Sequence, residues 1–138
     1  MIEEDDVSRV LKDDGVESID INSFQNLNQI KIDELYTKFG KYKSWAARLC
    51  YNKDFGGVII NQLPGEGNRL HKHPNANECW VILSGKWKWY IEGKSEMIAE
   101  KGSIINVEKN TYHQITCVGD EPGMRYAITV PDVLHVYK

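Results

Sequence analysis

Three residues within eight positions of this sequence are suited to binding a metal ion. His71 and His73 are two positions apart, and residues at i and i+2 of a β-strand project to the same face. The segment 74–77 contains a proline and two asparagines, which disfavour continued strand pairing, so a loop there can bring Glu78 beside the two histidines. Two histidines and one carboxylate form a facial ligand set that leaves coordination positions open for substrate or water.

A fourth possible donor lies further along the chain. His113 shares its predicted strand face with Ile115 and Cys117, and the interior of a β-barrel would accept all three side chains. A lone His-x-His pair is weak evidence, because exposed pairs of this kind also occur. Glu78 and a downstream histidine near a turn strengthen it. The candidate metal ligands are His71, His73, Glu78 and His113.

Composition limits the kinds of partner that the protein could have. The chain has 138 residues, of which 41% are hydrophobic and 27% charged, with a formal net charge of −3. No two Lys or Arg residues are adjacent, so a phosphate-binding basic face is not expected, and nucleic acid is disfavoured as a partner. No apolar run approaches the roughly 20 residues needed to cross a bilayer, and the acidic start does not resemble a secretory signal. We therefore expect a cytoplasmic protein that binds no membrane.

The cysteines fit this expectation. Cys50, Cys79 and Cys117 are three in number and widely spaced. They form neither the Cys-x-x-Cys pairs of a zinc site nor a plausible disulfide framework. Any metal site would therefore be built mainly from histidine and carboxylate.

The pattern along the chain predicts an all-β fold with a short N-terminal helical arm. Helical spacing predicts a short helix over about 4–12, and a helical turn at 32–36 would end at Gly40. Alternation and turn residues then predict about eight strands, at 44–49, 58–60, 79–83, 86–92, 97–99, 103–107, 112–118 and 125–130. Short strands with such punctuation are typical of a sandwich or barrel, and a jelly roll suits this length. We predict an arm at 1–41, which packs on the barrel or on a partner subunit, and a β-barrel at 42–138.

The segment Gly65 to Gly85 carries a resemblance to a known family. It matches the motif G-x5-HxH-x4-E-x6-G at every defining position, and in this it resembles the cupin superfamily. A second cupin motif, G-x5-PxGxxH-x3-N, is matched only at Gly102 and His113. Its proline, second glycine and asparagine are replaced by Glu108, Asn110 and Cys117.

The resemblance covers about residues 42–131. It implies a single-domain cupin jelly-roll β-barrel that holds one divalent transition metal (Fe, Mn, Ni, Co or Zn) on the four ligands already named. It also implies a homodimer. It does not fix the reaction, because a fold hosts many functions.

Other side chains are predicted to surround the metal. By strand parity Arg69 faces the same way as the two nearby histidines and could bind a carboxylate or phosphate, or it could pair at the rim with an acid such as Glu66. Tyr112 and Glu78 are candidates for proton transfer. Trp80 and Cys117 are candidates for substrate contact. Trp87 and Trp89 are expected to pack in the core, with stacking on a ring or sugar face of a substrate as the alternative. Arg48, Gln62 and Arg125 are further candidates for the polar rim.

Three functions are compatible with these residues. The first is a metal-dependent isomerase, epimerase or lyase on a small anionic or polyhydroxy substrate, with the metal as Lewis acid. The second is a non-haem Fe(II) dioxygenase. The third is a non-catalytic small-ligand-binding protein. The first is slightly favoured over the second, because Arg69, if it faces inward, would bind an anionic substrate.

Overall fold

The chain forms two six-stranded β-sheets and two short helices. The structure, a computed structural model, describes residues 2–3 and 7–138, with side chains from residue 9 onward. The strands are β1 (Ile2–Glu3), β2 (Ser18–Asp20), β3 (Trp45–Tyr51), β4 (Gly56–Gln62), β5 (His71–Lys72), β6 (Glu78–Ser84), β7 (Lys86–Ile91), β8 (Met97–Glu100), β9 (Ile104–Val107), β10 (His113–Val118), β11 (Gly123–Thr129) and β12 (His135–Tyr137). The helices are α1 (Val7–Asp13) and α2 (Ile32–Phe39).

The strand order confirms the predicted all-β fold. One sheet runs β1-β12-β5-β10-β7-β8 and the other β2-β3-β4-β11-β6-β9. All described pairings are antiparallel except that of β2 with β3. All eight predicted strands are present. Strand β5 contains part of the His-x-His segment that the metal-site argument placed on a strand, and β1, β2 and β12 were not predicted as strands. Consecutive strands such as β5 and β6 lie in different sheets, which is why a short loop can bring their side chains together across the barrel.

The core lies between the two sheets. In β7 the side chains alternate between buried and exposed along the strand, with Trp87 and Trp89 fully buried. Trp80 of β6 meets Trp89 edge-on, with ring centroids 5.6 Å apart. The two tryptophans of β7 therefore pack in the core, as the alternation indicated. Burial of large aromatic side chains of this kind dominates the stability of small barrels.

The N-terminal residues pack on the barrel itself. In α1, Val10 and Leu11 are buried, and β2 extends one sheet beside β3. In α2, the buried Leu35 joins a second apolar cluster with Trp45 on the outer face of that sheet. The arm is thus joined to the barrel by strands as well as helices. The part of the predicted helix at 4–6 lies outside the described residues, and the division near residue 42 remains a prediction.

Three turns take the backbone conformation that the motifs require. Gly65 and Gly85, which frame the first motif, have φ of 92° and 78°. Asn110 stands where the second motif has glycine and has φ of 64°, a region that Asn tolerates better than most residues. Its N–H donates to the carbonyl of His73 at 2.7 Å. The replacement therefore keeps the turn that leads into β10.

Among the described residues, no helix has the length and apolar character needed to span a membrane.

Candidate metal centre

Three strands and one loop bring the four predicted ligands together. His71 begins β5 and lies directly opposite His113, the first residue of the neighbouring strand β10. His73 follows β5 by one residue. Glu78 begins β6 in the opposite sheet. The ligands therefore meet at the end of the barrel where these strands begin or end.

The geometry of the four side chains is compact. Ring centroids are 4.4 Å apart for His71 and His113, 4.8 Å for His71 and His73, and 5.2 Å for His73 and His113. Glu78 Oε1 lies 3.3 Å from His73 Nε2 and 3.5 Å from His113 Nε2. All four are buried, with 0–7% of each residue exposed. His73, Glu78 and His113 offer ligand atoms within 4.8 Å of one another, which is close enough for one ion to contact them.

Backbone carbonyls set the tautomer of each predicted histidine ligand. The Nδ1 atoms of His71, His73 and His113 lie 2.6, 2.9 and 3.0 Å from the carbonyl oxygens of Arg69, Leu134 and Thr111. A carbonyl oxygen can only accept a hydrogen bond, so each Nδ1 must donate. In the neutral ring, Nε2 then carries the lone pair that a metal needs.

Charges in the cluster suit a cation. Burial, followed by the nearby His113 and His73, lowers the pKa of His71 to about 2, so this ring is neutral at ordinary pH. Burial alone would raise the pKa of Glu78, but His73 and His113 act against it and hold that pKa well below its usual value. The Nε2 atom of His113 is buried and makes no hydrogen bond with any described residue. A buried carboxylate beside the neutral ring of His71 and the buried Nε2 atom of His113 fits a divalent metal ion.

A fifth donor, His135, was not predicted. It lies in β12, and its ring centroid is 4.7 Å from that of His73 and 5.1 Å from that of His71. With those two residues it forms a second group of possible ligands within 4.8 Å. All four histidines of the chain are therefore in one cluster. The small number of histidines in the sequence was the available signal for His135. The three-residue strand that contains it is too short to show a clear alternation.

Trp80 donates a hydrogen bond to the carboxylate of Glu78. Its indole N–H donates to Glu78 Oε1 at 2.8 Å, between two buried side chains. Trp80 also lines the cavity next to the cluster. Its contact with Glu78 gives it a role in orienting a ligand, in addition to the substrate contact that was predicted.

The cluster opens onto a cavity of about 80 Å³. Val10 and Leu11 of helix α1 and Asp14, the residue after the helix, line one side of it, and two arginines, Arg48 and Arg125, also line it. Burial raises the pKa of Asp14, although Arg69 and Arg125 act to lower it. The N-terminal arm thus forms part of the wall of the site.

The structure places Arg69 elsewhere than expected. Its guanidinium is 3.4 Å from Asp14 and 3.8 Å from Asp13, its side chain is 42% exposed, and it stacks on Tyr137 at 3.7 Å. The parity argument failed because β5 starts only at His71, so Arg69 is in a loop. The expected local acid, Glu66, instead accepts the backbone N–H of Leu63.

Two further predicted residues lie away from the cavity. Tyr112 is half-buried, directly before β10, and its ring faces Lys72 and Lys138 at 4.9 and 5.1 Å. Cys117 is fully buried, with its Sγ 3.7 Å from the carbonyl oxygen of Gln62. Burial raises the pKa of its thiol. Neither side chain lines the cavity, so proton transfer by Tyr112 and substrate contact by Cys117 lack geometric support.

Comparison with known proteins identifies the kind of domain. A family model described as a cupin domain matches residues 58–130, just over half of the chain. No curated protein matches the sequence.

Solved structures share the fold at low sequence identity. A conserved protein with a double-stranded β-helix domain from Klebsiella pneumoniae is 17% identical, with a TM-score of 0.63 over 77% of this chain and 91% of that one. KdgF from a Halomonas species is 14% identical, with a TM-score of 0.58 over 62% and 78%. A protein from Acidithiobacillus ferrooxidans, provisionally assigned as a sugar phosphate isomerase, is 22% identical, with a TM-score of 0.54 over 62% of each chain.

Proposed function

Because the chain belongs to the cupin domain family, we propose that it is a metal-dependent enzyme of the isomerase, epimerase or lyase type. Its substrate would be a small anionic or polyhydroxy molecule. One observation carries the proposal: a buried cluster of histidines and Glu78 borders a cavity that is also lined by Arg48 and Arg125. A metal-ligand set beside cationic side chains suits a substrate that carries both a ligating oxygen and an anionic group. A homodimer remains part of the prediction.

The metal would be held by His71, His73, Glu78 and His113, with His135 as an additional donor. When bound, such an ion supplies Lewis-acid polarisation of a carbonyl or carboxylate oxygen. Nitrogen and oxygen donors of this kind suit iron, manganese, nickel, cobalt or zinc. The hydrogen bond from Trp80 would keep Glu78 oriented toward the histidines throughout.

Other residues of the cavity would bind and shield the substrate. The apolar side chains of Val10, Leu11 and Ile60 line it and would exclude water, which strengthens every charge interaction inside. Asp14 is the one described carboxyl group that lines the cavity outside the histidine cluster. Burial raises the pKa of Asp14, which suits its carboxyl group to holding or moving a proton of the substrate. This residue takes the place of Tyr112 as the proton-transfer candidate.

The relatives are compatible with this proposal. The protein from Acidithiobacillus ferrooxidans is provisionally assigned as a sugar phosphate isomerase, which is a reaction on an anionic, polyhydroxy substrate. At 22% identity this likeness supports the fold, and the proposed chemistry depends on the residues of this chain.

Elemental analysis by mass spectrometry tests the proposal first. Protein purified without an affinity tag or chelator should carry near-stoichiometric manganese, nickel, cobalt or zinc. A His71→Ala/His73→Ala variant should lose it. Near-stoichiometric iron, lost in the variant, would shift the assignment to a dioxygenase and would be followed by oxygen-uptake assays. Absence of metal from both proteins after reconstitution would refute the proposal.

A ligand screen would then test for substrate. A molecule that binds only the folded state raises the unfolding free energy by about 2.7 kcal/mol at a hundredfold excess over its Kd. Sugar phosphates, hydroxy acids and thiols should be screened by melting temperature, and hits assayed for conversion. Binding without conversion of any hit would favour the non-catalytic function.

A further inference from the structure

Arg125 is a buried cation on the inner wall of the barrel. It lies on β11, between Ile60 of β4 and Ile82 of β6, and only 1% of the residue is exposed. It lines the same cavity as His71, His73 and Glu78. Burying a charged group is costly unless it is paired, so its surroundings need a physical explanation.

The guanidinium is held firmly but is only partly hydrogen-bonded. Its Nη2 donates to Gln62 Oε1 at 2.7 Å, and Gln62 Nε2 donates to the carbonyl oxygen of Gly67 at 3.2 Å. The rings of Trp80 and Trp87 lie 4.7 and 4.9 Å from its central carbon, a distance at which aromatic rings stabilise cations. These contacts fix the position of the group.

Two donor atoms of this fixed group, which together carry three N–H bonds, remain available. The Nε and Nη1 atoms of Arg125 are buried and make no hydrogen bond with any described residue. Arginine has five N–H donors and no acceptor, so these positions can be satisfied only by an acceptor that enters the cavity. Within the described part of the chain these N–H donors are therefore unsatisfied, and an acceptor oxygen in the cavity would satisfy them.

Charge favours an anionic acceptor. Burial lowers the pKa of Arg125 to about 10, with Asp14, Glu78 and Cys117 acting in the opposite direction, so it remains a cation at neutral pH. No carboxylate among the described side chains forms an ion pair with it, and Asp14, which also lines the cavity, is bound by Arg69. A carboxylate group of a ligand would supply an acceptor oxygen and the missing charge.

We propose that Arg125, positioned by Gln62 and by the rings of Trp80 and Trp87, is the binding site for a carboxylate group of the substrate. The inference deepens the proposed function and rests on it for the identity of the ligand as a substrate. Each edge of the planar guanidinium that can bind a carboxylate pairs Nη2 with either Nε or Nη1, so one oxygen would accept from Nε or Nη1 and the other from the second N–H of Nη2. Arg48, the other arginine that lines the cavity, is half-buried and stacks on Tyr51 at 4.2 Å, and it serves as a comparison.

The test uses glycolate and glycolamide, which have nearly the same shape but differ in charge. Binding is measured by calorimetry on the protein as purified and again after removal of metal with a chelator. We expect both forms to bind glycolate in preference to glycolamide. The metal-free form separates this proposal from the proposed function, because a carboxylate held by Arg125 would still bind there, whereas one held only by a metal would not.

Variants assign the binding to one arginine. Arg125→Gln should weaken glycolate binding to the metal-free protein at least tenfold and leave glycolamide binding unchanged. Arg48→Gln should weaken glycolate binding by a smaller factor than Arg125→Gln, because Arg48 is half-buried and its guanidinium stacks on Tyr51. Equal glycolate affinity in Arg125→Gln and wild type, or equal losses for the two probes, would overturn the proposal. Tighter binding of inorganic phosphate than of glycolate, with the same dependence on Arg125, would overturn the assignment to a carboxylate.

A second variant covers the case in which Arg125→Gln does not fold. Gln62→Glu places a resident carboxylate at the atom that already lies 2.7 Å from Nη2. It should satisfy the charge of Arg125 from within, at the expense of the bond to Gly67. Glycolate affinity should then fall at least tenfold in a protein that circular dichroism shows to be folded. Unchanged affinity in folded Gln62→Glu would contradict the proposal.

Discussion

At the scale of single residues, Trp80 fixes the orientation of the carboxylate in the ligand cluster. Its indole N–H is the buried donor 2.8 Å from Glu78 Oε1. Loss of such an outer-shell partner typically weakens metal affinity by about 10- to 100-fold. We therefore expect Trp80→Phe to bind zinc about 10- to 100-fold more weakly than wild type, as measured by competition with a chromogenic chelator.

Trp89 provides the matched control for that substitution. It is also fully buried, and its indole N–H makes no hydrogen bond with any described residue. Trp89→Phe removes the same atoms without touching Glu78, so zinc affinity should change by less than threefold. Equal losses in the two variants would mean that packing, and not the hydrogen bond to Glu78, sets the affinity.

Asp14 should give the folded protein a particular pH dependence. Burial is the largest cause of its raised pKa, opposed by Arg69 and Arg125. An acid whose pKa is higher in the folded state binds its proton more tightly there than in the unfolded chain. Its contribution to the unfolding free energy therefore falls as pH rises from the unfolded pKa, about 4, through the folded pKa.

Urea unfolding of wild type and Asp14→Asn at several pH values between 4 and 7 checks this sign. The unfolding free energy of wild type minus that of the variant should decrease as pH rises, because groups common to both proteins cancel. A difference that stays constant or increases with pH would show that Asp14 is not held in a protonation-favouring environment.

At the scale of elements, the turn between β4 and β5 positions β10 and its histidine. Gly67 bridges to Thr116 of β10, and a Cβ atom at Gly67 would overlap the carbonyl oxygen of Ile115. Overpacking of this kind costs about 1–3 kcal/mol. Gly67→Ala should lower the unfolding free energy by that amount and weaken zinc binding, because moving β10 moves His113.

Gly93→Ala is the comparison for the turn. Gly93 has φ of 81°, so alanine is strained there, but nothing lies within 4 Å of its added Cβ. It lies in the turn between β7 and β8, outside the ligand strands. The variant should lose stability and keep its zinc affinity. A Gly67→Ala protein with unchanged zinc affinity would show that the turn does not position the ligands.

Strand parity correctly predicted which side chains face inward only in the longer strands. The six-residue strand β7 alternates fully between buried and exposed side chains, and its inward tryptophans followed from the sequence. Strand β5 has two residues, so parity extended back to Arg69 had no physical basis. In β11 the pairing shifts between Met124 and Arg125. Both side chains are buried, and alternation cannot show which one faces the cavity.

The clustering of the four candidate ligands was predictable for a different reason. Two histidines at i and i+2, a loop and Glu78 are local features, and His113 was found through its motif. His135 reaches the cluster through the pairing of β12 with β5, a contact between residues more than 60 positions apart. The cavity wall supplied by α1 depends likewise on packing of the arm on the barrel. Such long-range placement does not follow from local pattern.

At the scale of the whole molecule, the ligand cluster joins the two sheets. His71, His113 and His135 belong to strands of one sheet, and Glu78 begins a strand of the other. An ion bound by all of them would cross-link the barrel at this end in the folded state only. Binding should therefore stabilise the entire domain and not just the loops around the site.

A melting experiment on zinc-loaded and chelator-treated protein tests this cross-link. At free zinc a hundredfold above Kd the gain is about 2.7 kcal/mol, which for a domain of this size raises Tm by roughly 10 °C. His113→Ala leaves ligands in both sheets but removes one donor, so its shift should be smaller. Glu78→Ala removes the donor from the second sheet and should lose most of the shift. A Glu78→Ala protein that zinc stabilises as much as wild type would mean that the ion is held within one sheet, by His71, His73 and His135 alone.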